Sequence, residues 1–251
     1  MAVMSPQSKI ICYHEELRSA LLAALKVADK KLFGSIQFRP LPEDGVLQIS
    51  ALNKTSTFVA TVPTEMCDVV DQRDEVFECL LSEASVMAKF PIKLPPGSEG
   101  EVAKAGLIIA DSWIQITDET GLGIGIRHSR VRRNSDLELP GHADRTIETA
   151  IDADEDFDAV LFPAQTALVG RVAEIMGQKH QIRLLKAPEG VLSRVLLSGA
   201  TYGLTCTEGR QKDEDTDTSD DQPLSFDDSG LSVTSSKSLK IVGASPAHGV
   251  S

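Results

Sequence analysis

Between Leu107 and Val131 the chain reads LIIADSWIQITDETGLGIGIRHSRV. Two runs rich in β-branched residues alternate apolar and polar positions on either side of Asp118-Glu119-Thr120-Gly121. That is the pattern of an antiparallel hairpin with one buried face. The pattern recurs at Val46 to Val62, around an Asn53-Lys54 turn, and at Gln181 to Thr207, around Pro188-Glu189-Gly190. A helix-like segment precedes two of these units, so the chain reads as a repeat of one helix packed on antiparallel strands, an α+β architecture.

Outward from this stretch, Lys9 to Tyr13 reads as a short strand feeding a helix from His14 to Lys31. Leu17, Ala20, Leu21, Ala24, Leu25 and Ala28 make one apolar stripe along that helix. Arg18, Lys26 and Lys30 lie off the stripe, on a face that is either solvated or turned to a polyanion. Strands are expected at Ser35 to Arg39, Val46 to Leu52 and Ser56 to Val62, then a polar connector from Thr64 to Asp74. Glu75 to Leu81 reads as a strand, and Ser82 as the cap of a short helix to Phe90 that buries Val86, Met87 and Phe90. Asn134 to Asp156 is an acidic connector with one candidate strand at Thr146 to Ile151, and Phe157 to Phe162 is a strand. Pro163 then starts a helix to Met176, with Arg171 and Lys179 off its apolar side. Strands at Gln181 to Leu185, Leu192 to Leu197 and Thr201 to Thr207 complete the third repeat. This organisation gives a first domain at residues 9–134, a second at 135–207 and a disordered acidic tail at 208–251.

Hydrophobic residues make up 41% of the 251, enough for an ordinary core. No run approaches the roughly 20 apolar residues a bilayer crossing needs, and the start lacks the order of a signal peptide. A cytoplasmic protein is expected. Cys12, Cys67, Cys79 and Cys206 have no Cys-x-x-Cys spacing and read as reduced, mostly core thiols. His14, His128, His142, His180 and His248 form no ligand or nucleophile-and-base pattern, and the Asp152 to Asp158 cluster lacks the spacing of a calcium loop. Gly121, Gly123 and Gly125 alternate along a strand and do not make a nucleotide loop. No catalytic residue, metal or cofactor is therefore expected. The formal charge of −12 excludes a protein that coats nucleic acid with its whole surface but allows a local basic lining. The densest basic run is Arg127 to Arg133.

Two segments resemble the bacterial beta sliding clamp, the processivity ring of DNA replication. Thr117-Asp118-Glu119-Thr120-Gly121-Leu122-Gly123-Ile124 is similar to a strand end of that family in which Thr-Asp is followed by three residues, a leucine and two small or branched residues. Here Glu-Thr-Gly stands where Gly-His-Arg is usual. Val160-Leu161-Phe162-Pro163, the helix after it and Gln181-Ile182-Arg183-Leu184 resemble the family's proline-started helix and following strand.

The resemblance covers Lys9 to Thr207 and implies a non-enzymatic factor that encircles duplex DNA as a homo-oligomer, of phage or bacterial type. At this length a trimer is favoured. It also implies basic residues that face DNA, namely Arg18, Lys26, Lys30, Arg171, Lys179, Arg127 and Arg130. DNA polymerase and clamp-loader proteins would bind through short peptides near Thr117, Leu122, Pro163 and Leu168. Gln222-Pro223-Leu224-Ser225-Phe226 in the tail loosely resembles such a peptide. The repeat count is three where two full domains would hold four. The remaining one is either degenerate within Thr64 to Gly100, or the chain is a reduced clamp or a clamp-fold modulator that does not close a ring.

Overall fold

The computed structural model describes residues 7–94, 97–98, 100–121, 127–137, 139, 163–177, 183–186, 193–197 and 202–207. All belong to the first of the chain's two compact bodies. The expected strands at Thr146 to Ile151 and Phe157 to Phe162, the acidic cluster, the tail with its Gln222 to Phe226 segment, Leu122, Gly123, Gly125 and Lys179 lie outside the described residues.

Repeat A is a lead strand β1 (Ser8–Tyr13), a helix α1 (His14–Val27) and three strands, β2 (Ser35–Leu41), β3 (Val46–Leu52) and β4 (Ser56–Asp68). Repeat B has the same order: β5 (Phe77–Leu80), α2 (Leu81–Ala88), β6 (Lys104–Ile109), β7 (Trp113–Asp118) and β8 (His128–Arg132). Repeat C is described from its helix α3 (Pro163–Ile175) through β9 (Arg183–Lys186), β10 (Ser193–Leu197) and β11 (Tyr202–Thr207).

A and B exchange their lead strands. β1 pairs antiparallel with β6 of repeat B, and β5 with β2 of repeat A. The exchange gives the two repeats a pseudo-two-fold relation. β1 also pairs with the end of its own β4, at Thr64 to Asp68, and β5 meets the end of β8 through Asn134 N donating to Glu78 O at 2.9 Å. Repeat C joins through β11, which runs antiparallel to the first half of β4, Cys206 opposite Ser56 and Tyr202 opposite Ala60. The sheet therefore crosses the boundary expected at residue 134.

The helices follow from their stripes. Leu17, Ala20, Leu21 and Ala24 are buried on the sheet side of α1, with Glu15 and Glu16 in its first turn and Lys26 in its last, complementing the helix dipole. α1 packs against both α2 and α3, and one core holds Leu17, Leu21, Ile10, Phe38, Ile49, Leu107, Ile116, Met87, Val169 and Val172. Each large side chain so buried contributes on the order of 2 kcal/mol. Phe38 and Phe77 stack with centroids 5.0 Å apart, fastening β5 to β2.

Four expectations need correction. α1 ends at Val27, four residues early, because Asn53 Nδ2 donates to Val27 O at 3.0 Å and Asp29 N donates to Leu52 O. Lys30 thus sits in a turn. β4 continues to Asp68 through the expected connector because β1 supplies a partner there. α2 has no side-chain cap at Ser82, its N-cap being Leu80, and it turns Val86 to solvent while burying Leu81, Ala84, Met87 and Ala88. Thr64 to Gly100 holds the end of repeat A and the start of repeat B, and no further repeat among its described residues.

Candidate functional site

The core side of the sheet carries the helices, and their outward residues define one face. Arg18 and Lys26 on α1, Lys89 after α2 and Arg171 on α3 are exposed there. Acidic residues interleave with them: Glu15, Glu16 and Glu174 are exposed too, and Arg18 Nη1 lies 3.8 Å from Glu15 Oε2. An exposed pair of this kind fixes little, since water screens it. Lys30 lines an open depression past the end of α1 together with Lys31, Lys54 and Asn53. Sequence reading missed Lys31, Lys54 and Lys89. Lys54 sits in the β3–β4 turn and joins Lys30 only through the Asn53 cap, a link no local pattern carries.

Arg130 lies on the other face of the sheet. Its neighbour Val131 is 3% exposed in the core, and successive strand residues point to opposite faces. The Arg130 guanidinium lies 4.4 Å from the centroid of Trp113, and its Nε donates to Gln115 Oε1 at 2.7 Å. Arg127 precedes β8 and is exposed, its carbonyl accepting from Asp118 N. The cations singled out from sequence are thus divided: Arg18, Lys26 and Arg171 on the helix side, Arg130 on the opposite side.

Thr117 shares the face of Arg130. It is opposite Gly106 in the β6–β7 ladder and 2% exposed, its Oγ1 2.8 Å from Glu119 Oε1. Lys9 Nζ holds the same carboxylate at 3.1 Å. Glycine is required at 106, because a Cβ there would stand 2.5 Å from Thr117 Oγ1 and 2.7 Å from Glu119. Pro163 is exposed at the start of α3, and Leu168 is half-buried against the core that α3 shares with α1. Among the described residues, then, Pro163 and Leu168 lie on the helix side and Thr117 on the far side of the sheet, not in one pocket.

A polar seam closes the contact between A and B. Asp74 and Arg133, each 8% exposed at the side chain, form an ion pair. Ser8 Oγ donates to Asp74 Oδ2 at 2.6 Å, and Arg133 also donates to Ala110 O and Arg73 O. Beside it, hydrogen bonding from Arg73 holds the exposed Asp71 carboxyl down at about 2. Burial pushes the Cys12 thiol up to about 12 and raises Cys79 as well, so neither is a ready nucleophile. His14 is committed to Phe90 O at 3.1 Å. No group of three or more His, Cys, Asp or Glu side chains able to hold a metal occurs among the described residues. No helix among them is long and apolar enough to cross a membrane.

The sequence matches no protein-family model and no curated protein. Solved structures do resemble it. The chain is similar to the DNA polymerase III beta subunit of Thermotoga maritima, with a TM-score of 0.53 and 12% identity over 80% of this chain and 64% of that one. It is also similar to the DNA polymerase sliding clamp of Pseudomonas aeruginosa (0.52, 10%, 83% and 66%) and to the DNA polymerase III beta subunit of Borrelia burgdorferi (0.50, 9%, 79% and 63%). This chain spans just under two thirds of the length of each. It has the sliding-clamp fold, with the α+β class and the repeated helix-on-sheet unit expected from its sequence.

Proposed function

We propose that the protein is a clamp-like, non-enzymatic processivity factor that surrounds duplex DNA with its helix side inward. The observation that carries the reading is the pseudo-two-fold pair of repeats, with α1, α2 and α3 on one side of a sheet that continues from β4 into β11. Such a layer extends by adding strands at its edges. β4 is covered by β11 along its first half and by β1 along its end. Its two-fold counterpart β8 meets β5 at its end, and among the described residues no strand covers its first half. In this reading that edge is where the layer continues toward closure.

A ring slides if its lining touches phosphates weakly and without sequence preference. Arg18, Lys26, Lys30 and Arg171, joined by Lys31, Lys54 and Lys89, would supply those contacts. The interleaved glutamates and the overall charge of −12 would keep the protein from adhering to DNA it does not encircle. Polymerase and loader proteins would dock through short peptides at a surface outside the duplex-facing helix side, on which Pro163 and Leu168 lie. The reading places the protein in the cytoplasm, beside the replicating chromosome.

One observation favours a second reading, a clamp-fold protein that binds replication proteins without closing a ring: repeat C has no mate among the described residues. Retention on DNA separates the two. A threaded ring stays on closed circular duplex at moderate salt and is lost when the circle is cut, whereas a groove binder loses orders of magnitude in affinity as salt rises, whatever the topology. Equal retention on linear and circular DNA would leave the second reading standing.

A further inference from the structure

We propose that the cavity at the seam between repeats A and B is a docking site for a partner protein, which inserts a short extended segment carrying an aliphatic residue beside a lysine or arginine. The proposal goes beyond the DNA reading and stands whether or not the chain closes a ring.

The cavity holds about 580 Å³, inside the range of roughly 300–1,000 Å³ typical of ligand sites. Three segments far apart in sequence build it. They are the 3-10 turn Gln72–Asp74 with the start of β5, the loop between β6 and β7 at Asp111, and the chain leaving β8 from Arg133 to Leu137. Hydrogen bonds fix these segments to one another before any ligand arrives. Asp71 caps the turn by accepting from Arg73 N at 2.9 Å, and Arg73 Nη2 reaches Asp111 Oδ1 at 3.1 Å. Arg133 N donates to Ser112 O, and Asn134 N to Glu78 O. Behind them Asp74 holds the Arg133 guanidinium, and Phe77 is stacked on Phe38. A site already in shape spares its ligand the cost of ordering it.

The lining sets the chemistry of the occupant. Its apolar part is Val76, Phe77 and Leu137, and Leu137 stands 55% exposed, so an aliphatic side chain laid there removes apolar surface from water. The charged part is acidic in balance. Arg133 is matched by Asp74, Arg73 is matched by both Asp71 and Asp111, and Glu75 adds a further exposed carboxylate. Four carboxylates around two guanidiniums repel a phosphate or an acidic peptide and attract an ammonium or guanidinium. Gln72 and Asn134 also line the cavity, and a carboxamide carries both the donor and the acceptor that a backbone amide needs. A basic-aliphatic peptide meets all three requirements, whereas a free amine or a hydrocarbon meets one. None of the described lining residues belongs to α1, α2 or α3, so an occupant here does not take up the helix side.

The test titrates the isotope-labelled full chain and follows its amide signals by NMR. The probes are acetyl-Gly-Leu-Lys-Gly-amide, acetyl-Gly-Leu-Glu-Gly-amide and inorganic phosphate. The lysine peptide should move the signals of Val76, Asn134 and Leu137 saturably at millimolar concentration, and the other two probes should leave them in place. Glu75→Gln should weaken the lysine peptide about threefold, as an exposed ion pair does. Leu137→Ser should weaken it about fivefold through lost apolar contact. Both residues are exposed, so both variants should fold, which unshifted signals of Leu17 and Ile49 in the core confirm. Absence of a response to the lysine peptide overturns the proposal. Equal binding of the glutamate peptide or of phosphate also overturns it, because the site would then take anions. Unchanged affinity in both variants overturns it as well, since the peptide would be bound elsewhere. None of these results bears on retention on circular DNA, which tests the clamp reading separately.

Discussion

Replacing Asp74 with alanine should be among the most damaging single changes in this protein. The carboxylate sits in the seam between repeats A and B, where it accepts from Ser8 and pairs with Arg133, and both ionic side chains are 8% exposed. Without it the guanidinium stays buried, its hydrogen bonds to the carbonyls of Ala110 and Arg73 and its place over the Phe77 ring kept but its paired carboxylate gone. Breaking a buried pair from one side costs about 3–5 kcal/mol. Loss of the Ser8 hydrogen bond is the smaller part, about 1 kcal/mol, since Ser8 Oγ still accepts from Val70 N at 2.9 Å. Against a total stability of about 5–15 kcal/mol this is a large fraction. Urea unfolding followed by circular dichroism measures it. The double variant Asp74→Leu with Arg133→Met should lose less than Asp74→Ala alone, because no charge is left stranded. A cost below about 1 kcal/mol for Asp74→Ala, or strict additivity in the cycle, would refute the reasoning.

Gly106→Ala should destabilise by about 1–3 kcal/mol, because the added methyl meets Thr117 Oγ1 and Glu119; adding Thr117→Ala and Glu119→Ala should recover most of the loss in the same urea assay. Reversing Arg18, Lys26 and Arg171 to glutamate should change stability by about 0.5 kcal/mol or less per site, all three being exposed, while impairing retention on circular DNA. Asp71 is lowered in the folded chain from its ordinary 3.8 to about 2, so its contribution is complete above the ordinary value and is lost as pH falls toward about 2. Carboxyl NMR titration should find that low midpoint, and Arg73→Ala should return it toward 3.8.

Much of this fold was legible because it is written in local periodicity. Leu17, Leu21 and Ala24 repeat at helical spacing, and Ile114 and Ile116 alternate with polar neighbours; both patterns are buried as expected. What escaped was decided at a distance. Thr64 to Asp68 is polar and half-exposed, and it becomes strand only because β1, far away in sequence, runs beside it. α1 stops at Val27 because Asn53 caps it. The split of the candidate cations was half visible: Arg130 alternates with Val131, so its pointing away from the core could be read. That the helices occupy the core side, and that Arg130 therefore faces away from Arg18, needed the packing of α1 on the sheet. Thr117 and Leu168 were grouped by resemblance, and Thr117 beside Gly106 faces away from α3.

Photo-crosslinking tests most directly the claim that the helix side faces DNA. A photoreactive residue is placed in turn at Lys26, on the exposed side of α1, and at Arg130, on the opposite face of the sheet. The protein is then loaded on closed circular duplex and irradiated. The account predicts DNA adducts from position 26 and none from position 130. Adducts from 130 alone, or equally from both, would contradict it.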